Sequence, residues 1–216
     1  MTEGLVDNDV LHKAAVYGLI RPLLNSIPLG IRCFYMLGAA KYIIRKKLQK
    51  RSPSRGAEAA LEEFETEIAR ITELEPSDEE IKYAANLELL AQQINVALDV
   101  GESILCAVLT IRGYGYLLTG DKRAISAIQV LQQGNVPLHL NHKLVCLEQM
   151  FIWLVDEVGV EEVRAAVCPE IWIDKALSNC FSCLATNITV ESCKEGLSSY
   201  ISSLRKEAPS VLIAKP

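Results

Sequence analysis

Short apolar runs of strand type alternate with helical stretches along the first part of this chain, and that alternation restricts the fold more than any other feature. Gly4 to Leu11 reads as a short buried strand whose end carries two acids, and Tyr116 to Thr119 as another apolar run of strand type. Gly30 to Arg51 reads as a strand or loop entering a helix. Helical spacing marks His12 to Leu24, Ala57 to Glu75, Glu79 to about Gln93, Val100 to Leu109 and Arg123 to Gln132. Within the second of these, Leu61, Phe64, Ile68 and Ile71 fall three or four residues apart. Pro76-Ser-Asp-Glu-Glu80 supplies a stop followed by a capping-type start. Strands alternating with helices predict an α/β fold with a parallel sheet covered by helices. Beyond Val136 the pattern turns almost wholly helical, over 143–158, 161–166, 172–186 and 192–205. The expected organisation is one domain over residues 1–135 and a helical C-terminal extension, 136–216, packed on it.

Half of the 216 residues are hydrophobic, enough for one sizeable core. No stretch approaches the roughly 18 uninterrupted apolar residues of a membrane span. Met1 to Val10 has no basic segment followed by an apolar one, so a cytoplasmic location is expected. Seven cysteines, at 33, 106, 146, 168, 180, 183 and 193, lie mostly among apolar residues and read as reduced core thiols. Cys180-x-x-Cys183 has the form of half a zinc site, but the only later candidate is Cys193, so paired core thiols are the expectation. The net charge of −5 counts mildly against a nucleic-acid binder unless positive residues cluster.

Three acidic signals sit where chemistry would want them. Asp7 and Asp9 lie two apart at the end of the first strand, Glu102 falls in a segment (Asp99-Val-Gly-Glu102) that opens a helix, and Asp121 directly follows the strand at 116–119. In an open α/β sheet, strand carboxyl ends and helix starts meet in one crevice, so acids remote in sequence can converge. Carboxylate oxygens are the donors that Mg²⁺ or Mn²⁺ takes, and such charges repel one another without a cation. Each acid also has a bland role. Asp7 and Asp9 suit turns or caps, Glu102 suits the first turn of a helix, and Asp121 suits a turn after Gly120.

Leu5-Val-Asp-Asn-Asp-Val-Leu11 resembles the opening strand of PIN-domain nucleases. Leu98-Asp-Val-Gly-Glu-Ser-Ile-Leu105 is similar to the helix that carries their third acid, and Leu117-Leu-Thr-Gly-Asp-Lys-Arg-Ala124 to the strand and turn that carry the fourth. The resemblance covers about residues 4–130. It implies a Rossmann-like sheet, an acidic pocket for Mg²⁺ or Mn²⁺, and hydrolysis of single-stranded RNA. On it Asp7, Glu102 and Asp121 are catalytic and metal-holding, with Asp9 a supporting neighbour among the metal residues. Residues 1–135 are then the PIN-like nuclease domain.

One departure stands out. The family places a further acid on a helix between the first strand and the third acid, and Met36 to Ile44 offers none; Glu62, Glu63, Glu65 and Glu67 are the next candidates. Lys41, Arg45, Lys46, Lys47, Lys50, Arg51 and Arg55 form a basic series that could track phosphates or simply solvate a helix. Lys122 and Arg123 stand beside Asp121, so Lys122, Arg123, Lys41 and Arg45 are the candidate substrate contacts. His12, His139 and His142 lie in no nucleophile motif. The apolar tail helices could pack on the sheet or pair two copies in a homodimer. The expected activity is metal-dependent ribonuclease. A catalytically inactive module binding RNA or a protein is the alternative, and a phosphatase or DNA-directed nuclease a weaker one.

Overall fold

A computed structural model describes residues 2–134 and 138–214; the domain boundary expected at residue 135 lies outside them. Strands β1 (Thr2–Val6), β2 (Ile31–Leu37), β3 (Thr72–Leu74), β4 (Tyr116–Thr119) and β5 (Leu144–Cys146) form an all-parallel sheet in the order β3-β2-β1-β4-β5. The expected α/β fold with a Rossmann-like parallel sheet is thus present. Leu5 pairs with Tyr35 on one side and Leu117 on the other, and Leu117 in turn with Leu144. All but Tyr35 are fully or nearly fully buried, as strands covered on both faces require.

The helices between these strands are α1 (Asn8–Tyr17), α2 (Ile20–Asn25), α3 (Ala39–Lys50), α4 (Ala57–Ile68), α5 (Asp78–Gln93), α6 (Val100–Ile111) and α7 (Lys122–Gln133). After β5 come α8 (Leu147–Val158), α9 (Val160–Val167), α10 (Lys175–Cys180) and α11 (Val190–Glu207). Helices α1, α3 and α4 pack together and α2 meets α8, while α5 packs on α6 and α7. Chain order therefore reverses between β1 and β4: β2 and β3 were added on one side of β1, β4 and β5 on the other. In sheets of this kind that reversal opens a crevice at the strand carboxyl ends.

Several expected boundaries move. The single helix expected over 12–24 is two, separated at Gly18, whose φ of 72° is the left-handed conformation that ends α1 and lets its N–H reach the carbonyls of Ala14 and Ala15. Asp9 is not a strand residue but lies in the first turn of α1. The helix expected over 57–75 ends at Ile68, and Thr72–Leu74 form edge strand β3. The helix expected over 143–158 begins only at Leu147, because Leu144, Val145 and Cys146 are a fully buried strand continuous with an apolar helix. Three-residue strands carry too little alternation to be told from a helical run. Through β5 the region after residue 135 supplies part of the sheet itself. Its far end is clasped as well: the Gln129 side-chain carbonyl accepts from the backbone N–H groups of Ser210 and Val211, and Ile213 N–H donates to Leu144.

Cys168 and Cys183 form a disulfide, which overturns the expectation of reduced thiols for this pair. The short 3₁₀ turn at Cys168–Glu170 and the turn after α10 bring their Cα atoms to 5.0 Å, within bonding geometry. Cys183 is thus no partner of Cys180 in a zinc site. The other five cysteines are free, and all but Cys33 are buried. Among the described residues no helix is long and apolar enough to cross a membrane.

Candidate functional site

At the crevice between β1 and β4, a cavity of about 500 Å³ is lined by Asp7, Asn8, Asp9, Asp99, Glu102 and Asp121, with Ile43 and Lys47 on its α3 side. The four acids expected from sequence therefore share one cavity. A second recess of about 280 Å³ shares Asp99, Glu102 and Asp121 with it and adds Arg123.

Three elements deliver the acids, each through a helix start. Asp7 extends β1 by one residue, its N–H donating to the Leu118 carbonyl at 2.9 Å, and occupies the N-cap position of α1. Its Oδ2 accepts from the Thr119 hydroxyl at 3.0 Å. Glu102 stands at the third position of α6 in a capping box: Glu102 N–H donates to Asp99 Oδ1, and Asp99 N–H to Glu102 Oε2, both at 2.9 Å. Asp121 caps α7, accepting from the amides of Arg123 (2.8 Å) and Ala124 (3.3 Å), and the Arg123 guanidinium reaches its other oxygen at 2.9 Å. The bland capping roles are thus real at Glu102 and Asp121, and they coexist with convergence. The amino ends of α1, α6 and α7 all face this cavity, and their dipoles partly offset its negative charge.

The charge balance is uneven. Burial, then the neighbouring charge of Asp9, raises the Asp7 carboxyl from 3.8 to about 6, although the Thr119 hydroxyl and the α1 amides pull the other way. Burial raises Glu102 from 4.5 to about 7; the Asp99 amide lowers it, and the charges of Asp99, Asp121 and Asp7 raise it further. Neither carboxylate has an ion-pair partner among the described residues. Asp121 differs: burial pushes it up, but Arg123 and the α7 amides outweigh that and hold it below the ordinary carboxylate range. Asp9 differs again, since Lys13 Nζ lies 2.7 Å from its Oδ2. Beneath the cavity, Cys106 is fully buried and its thiol is pushed up by burial and by the charges of Glu102 and Asp7.

Carboxylates in this arrangement are the right donor chemistry for a hard divalent cation, and Asp7 and Glu102 are the two buried ones that lack a countercharge. As the side chains stand, however, no three His, Cys, Asp or Glu residues among those described are gathered tightly enough to hold one ion. Asp121 is turned toward Arg123 and its own helix, and Asp9 toward Lys13. Ligation by Asp121 requires its side chain to swing inward.

The candidates for the missing acid do not fill the gap. Glu63, Glu65 and Glu67 on α4 pair with Arg55, Arg45 and Arg21, Glu62 is exposed, and none of the four lines the cavity. On the α3 side stand Ile43 and Lys47 instead. Of the candidate substrate contacts, only Arg123 borders the acids. Lys41 pairs with Glu73 at 2.7 Å and Arg45 with Glu65, so both are spent on β3 and α4. Lys122 packs over the Tyr200 ring and pairs at 2.5 Å with Glu148, which is 2% exposed. Cβ vectors at consecutive helix positions diverge, so Lys122 turns toward Glu148 where Arg123 turns toward the acids. Arg51, stacked 3.7 Å over Trp172, is also committed.

Sequence reasoning passed over Thr119 and Lys13, and named Lys47 only within the basic series of α3. Lys13 was visible as the residue four beyond Asp9 on a helix, the spacing of an ion pair. Thr119 had no comparable signal, and nothing in the basic series set Lys47 apart from its neighbours. His12 is buried and uninvolved, its imidazole held near 4 by burial and by Lys47.

No protein-family model matches the chain, and no curated protein matches it. The geometry carries the functional argument alone.

Proposed function

We propose that this cavity binds Mg²⁺ or Mn²⁺ through Asp7, Glu102 and Asp121 and hydrolyses phosphodiester bonds of single-stranded RNA. One observation carries the reading: Asp7 and Glu102 are buried, uncompensated carboxylates facing one cavity at the reversal of the sheet, a costly arrangement that a cation relieves. A bound cation there supplies polarisation of the phosphate and hydroxide from bound water at neutral pH. The chain's own groups bind and position. Lys47 on one side and Arg123 on the other bracket the acids and can each take a phosphate oxygen. Ile43 and Val100, 40% and 60% exposed at the cavity, offer apolar surface to a nucleobase, which favours a nucleic acid over a small phosphate ester. Thr119 holds Asp7 and, through the Asp121 amide at 3.2 Å, the turn beside it.

The alternative, a binding module without catalysis, is favoured by the same cavity's departures: α3 contributes Lys47 where the nuclease family has an acid, and Asp121 is engaged by Arg123. Cleavage of a single-stranded RNA pool in Mn²⁺ decides between them. Asp121→Asn preserves the α7 cap, since Asn caps about as well as Asp. It is expected to reduce cleavage by about 100-fold or more while the thermal midpoint stays within a few degrees. Wild-type protein that binds RNA in Mn²⁺ but never cuts it selects the binding module.

A further inference from the structure

Asp9 lines the acid cavity, yet its charge is already answered. Lys13, one turn along α1, places Nζ 2.7 Å from Asp9 Oδ2 and 2.8 Å from Asp174 Oδ2. The Lys13 side chain is only 11% exposed. Asp174 is itself fixed, because its Oδ1 caps α10 by accepting from Leu177 N–H at 3.0 Å. Backbone from a third element closes over the pair: any side chain at Gly120, between β4 and α7, would collide with Asp9 Oδ2 and come to 3.3 Å from Lys13 Nζ. Lys13 is therefore held by α1, α10 and the β4–α7 turn together.

Two-metal phosphodiesterase sites set their ions roughly 3.5–4 Å apart and share carboxylates between them. Here Asp9, beside the three proposed ligands, holds an ammonium instead, and a second divalent ion brought against that fixed charge would be repelled. We infer that Lys13 serves as a built-in cation in place of a second metal, so that the cavity takes a single divalent ion on Asp7, Glu102 and Asp121, and Asp9 is not a ligand. This rests on the cavity binding a metal at all, and the test separates the two claims.

Calorimetric titration of Mn²⁺ into the full chain reads stoichiometry and affinity without reference to activity. Wild-type protein is expected to bind one ion, and Asp9→Asn to bind one ion with an affinity within about threefold of it. Lys13→Met, which removes the ammonium but keeps the stem, is expected to admit a second ion. If Lys13→Met does not fold, Asp9→Asn decides alone. Two ions in the wild type, a second ion refused by folded Lys13→Met, or an affinity loss beyond about tenfold in Asp9→Asn would each overturn the inference and leave the metal site standing. No Mn²⁺ bound by the wild type would overturn the metal site itself, and this inference with it.

Discussion

Asp7 and Glu102 bind protons more tightly in the fold than they would in an open chain, and this fixes how stability must depend on pH. Their folded values, about 6 and about 7, lie above the ordinary 3.8 and 4.5. Between those limits these two groups hold protons in the native state that the unfolded state has released, so their contribution to stability falls as pH rises, while that of His12, held near 4 against an ordinary 6.5, runs the other way. Without metal, the stabilisation is fully present below about pH 4 and is lost progressively up to about pH 7. For Asp7 the shift corresponds to roughly 2–3 kcal/mol at about 1.4 kcal/mol per unit. Urea unfolding at a series of pH values should show wild-type stability falling relative to that of Asp7→Asn as pH rises, and recovering near pH 7.5 on adding Mn²⁺. A gap between wild type and Asp7→Asn that does not narrow or reverse as pH rises over this range would contradict the assignment of Asp7. The acids themselves were legible in the sequence as residue types at strand ends and helix starts. Their unequal fates were not: what separates Glu102 from Asp121 is the orientation of the Arg123 guanidinium, and what separates Asp7 from Asp9 is Lys13.

At the scale of elements, α7 is joined to α8 by the Lys122–Glu148 pair, with the Tyr200 ring of α11 beneath it. Glu148 Oε2 has no hydrogen-bond partner, so Lys122 is the principal compensation for a buried charge. Removing one partner of such a pair is costly, because the other remains charged in a poorly solvated place. Lys122→Ala should therefore lower stability by on the order of 3 kcal/mol, read as a shift of the urea midpoint at unchanged slope. An unchanged midpoint, with RNA affinity reduced, would restore Lys122 to the substrate contacts. The helices were legible where they carry caps and periodicity: the Ser77–Glu80 capping box was read from Pro76-Ser-Asp-Glu-Glu80 and is formed. Strands β3 and β5 were not legible, since three residues abutting a helix add no period of their own. The pairing of Lys122 with Glu148 was not legible either, because adjacency in sequence to Asp121 says nothing about which way a helical side chain turns.

For the whole molecule, the strand order β3-β2-β1-β4-β5 does the gathering. It places the carboxyl ends of β1 and β4 side by side with the start of α6 beside them, so residues 7, 102 and 121 meet although about a hundred positions separate the first from the others. Alternation along the sequence implied a parallel sheet, but it could not supply this order, which depends on long-range pairing. The same topology explains how an acidic chain, of net charge −5, could still engage a polyanion. The cation would bring its own positive charge to the cavity, and Lys47 and Arg123 need only flank it. The most direct test is an anomalous difference map from crystals grown with Mn²⁺. The account predicts one peak between Asp7, Glu102 and Asp121, with carboxylate oxygens about 2.0–2.3 Å away and Asp9 still on Lys13. An empty cavity at saturating Mn²⁺, or a peak only at surface carboxylates, would contradict it.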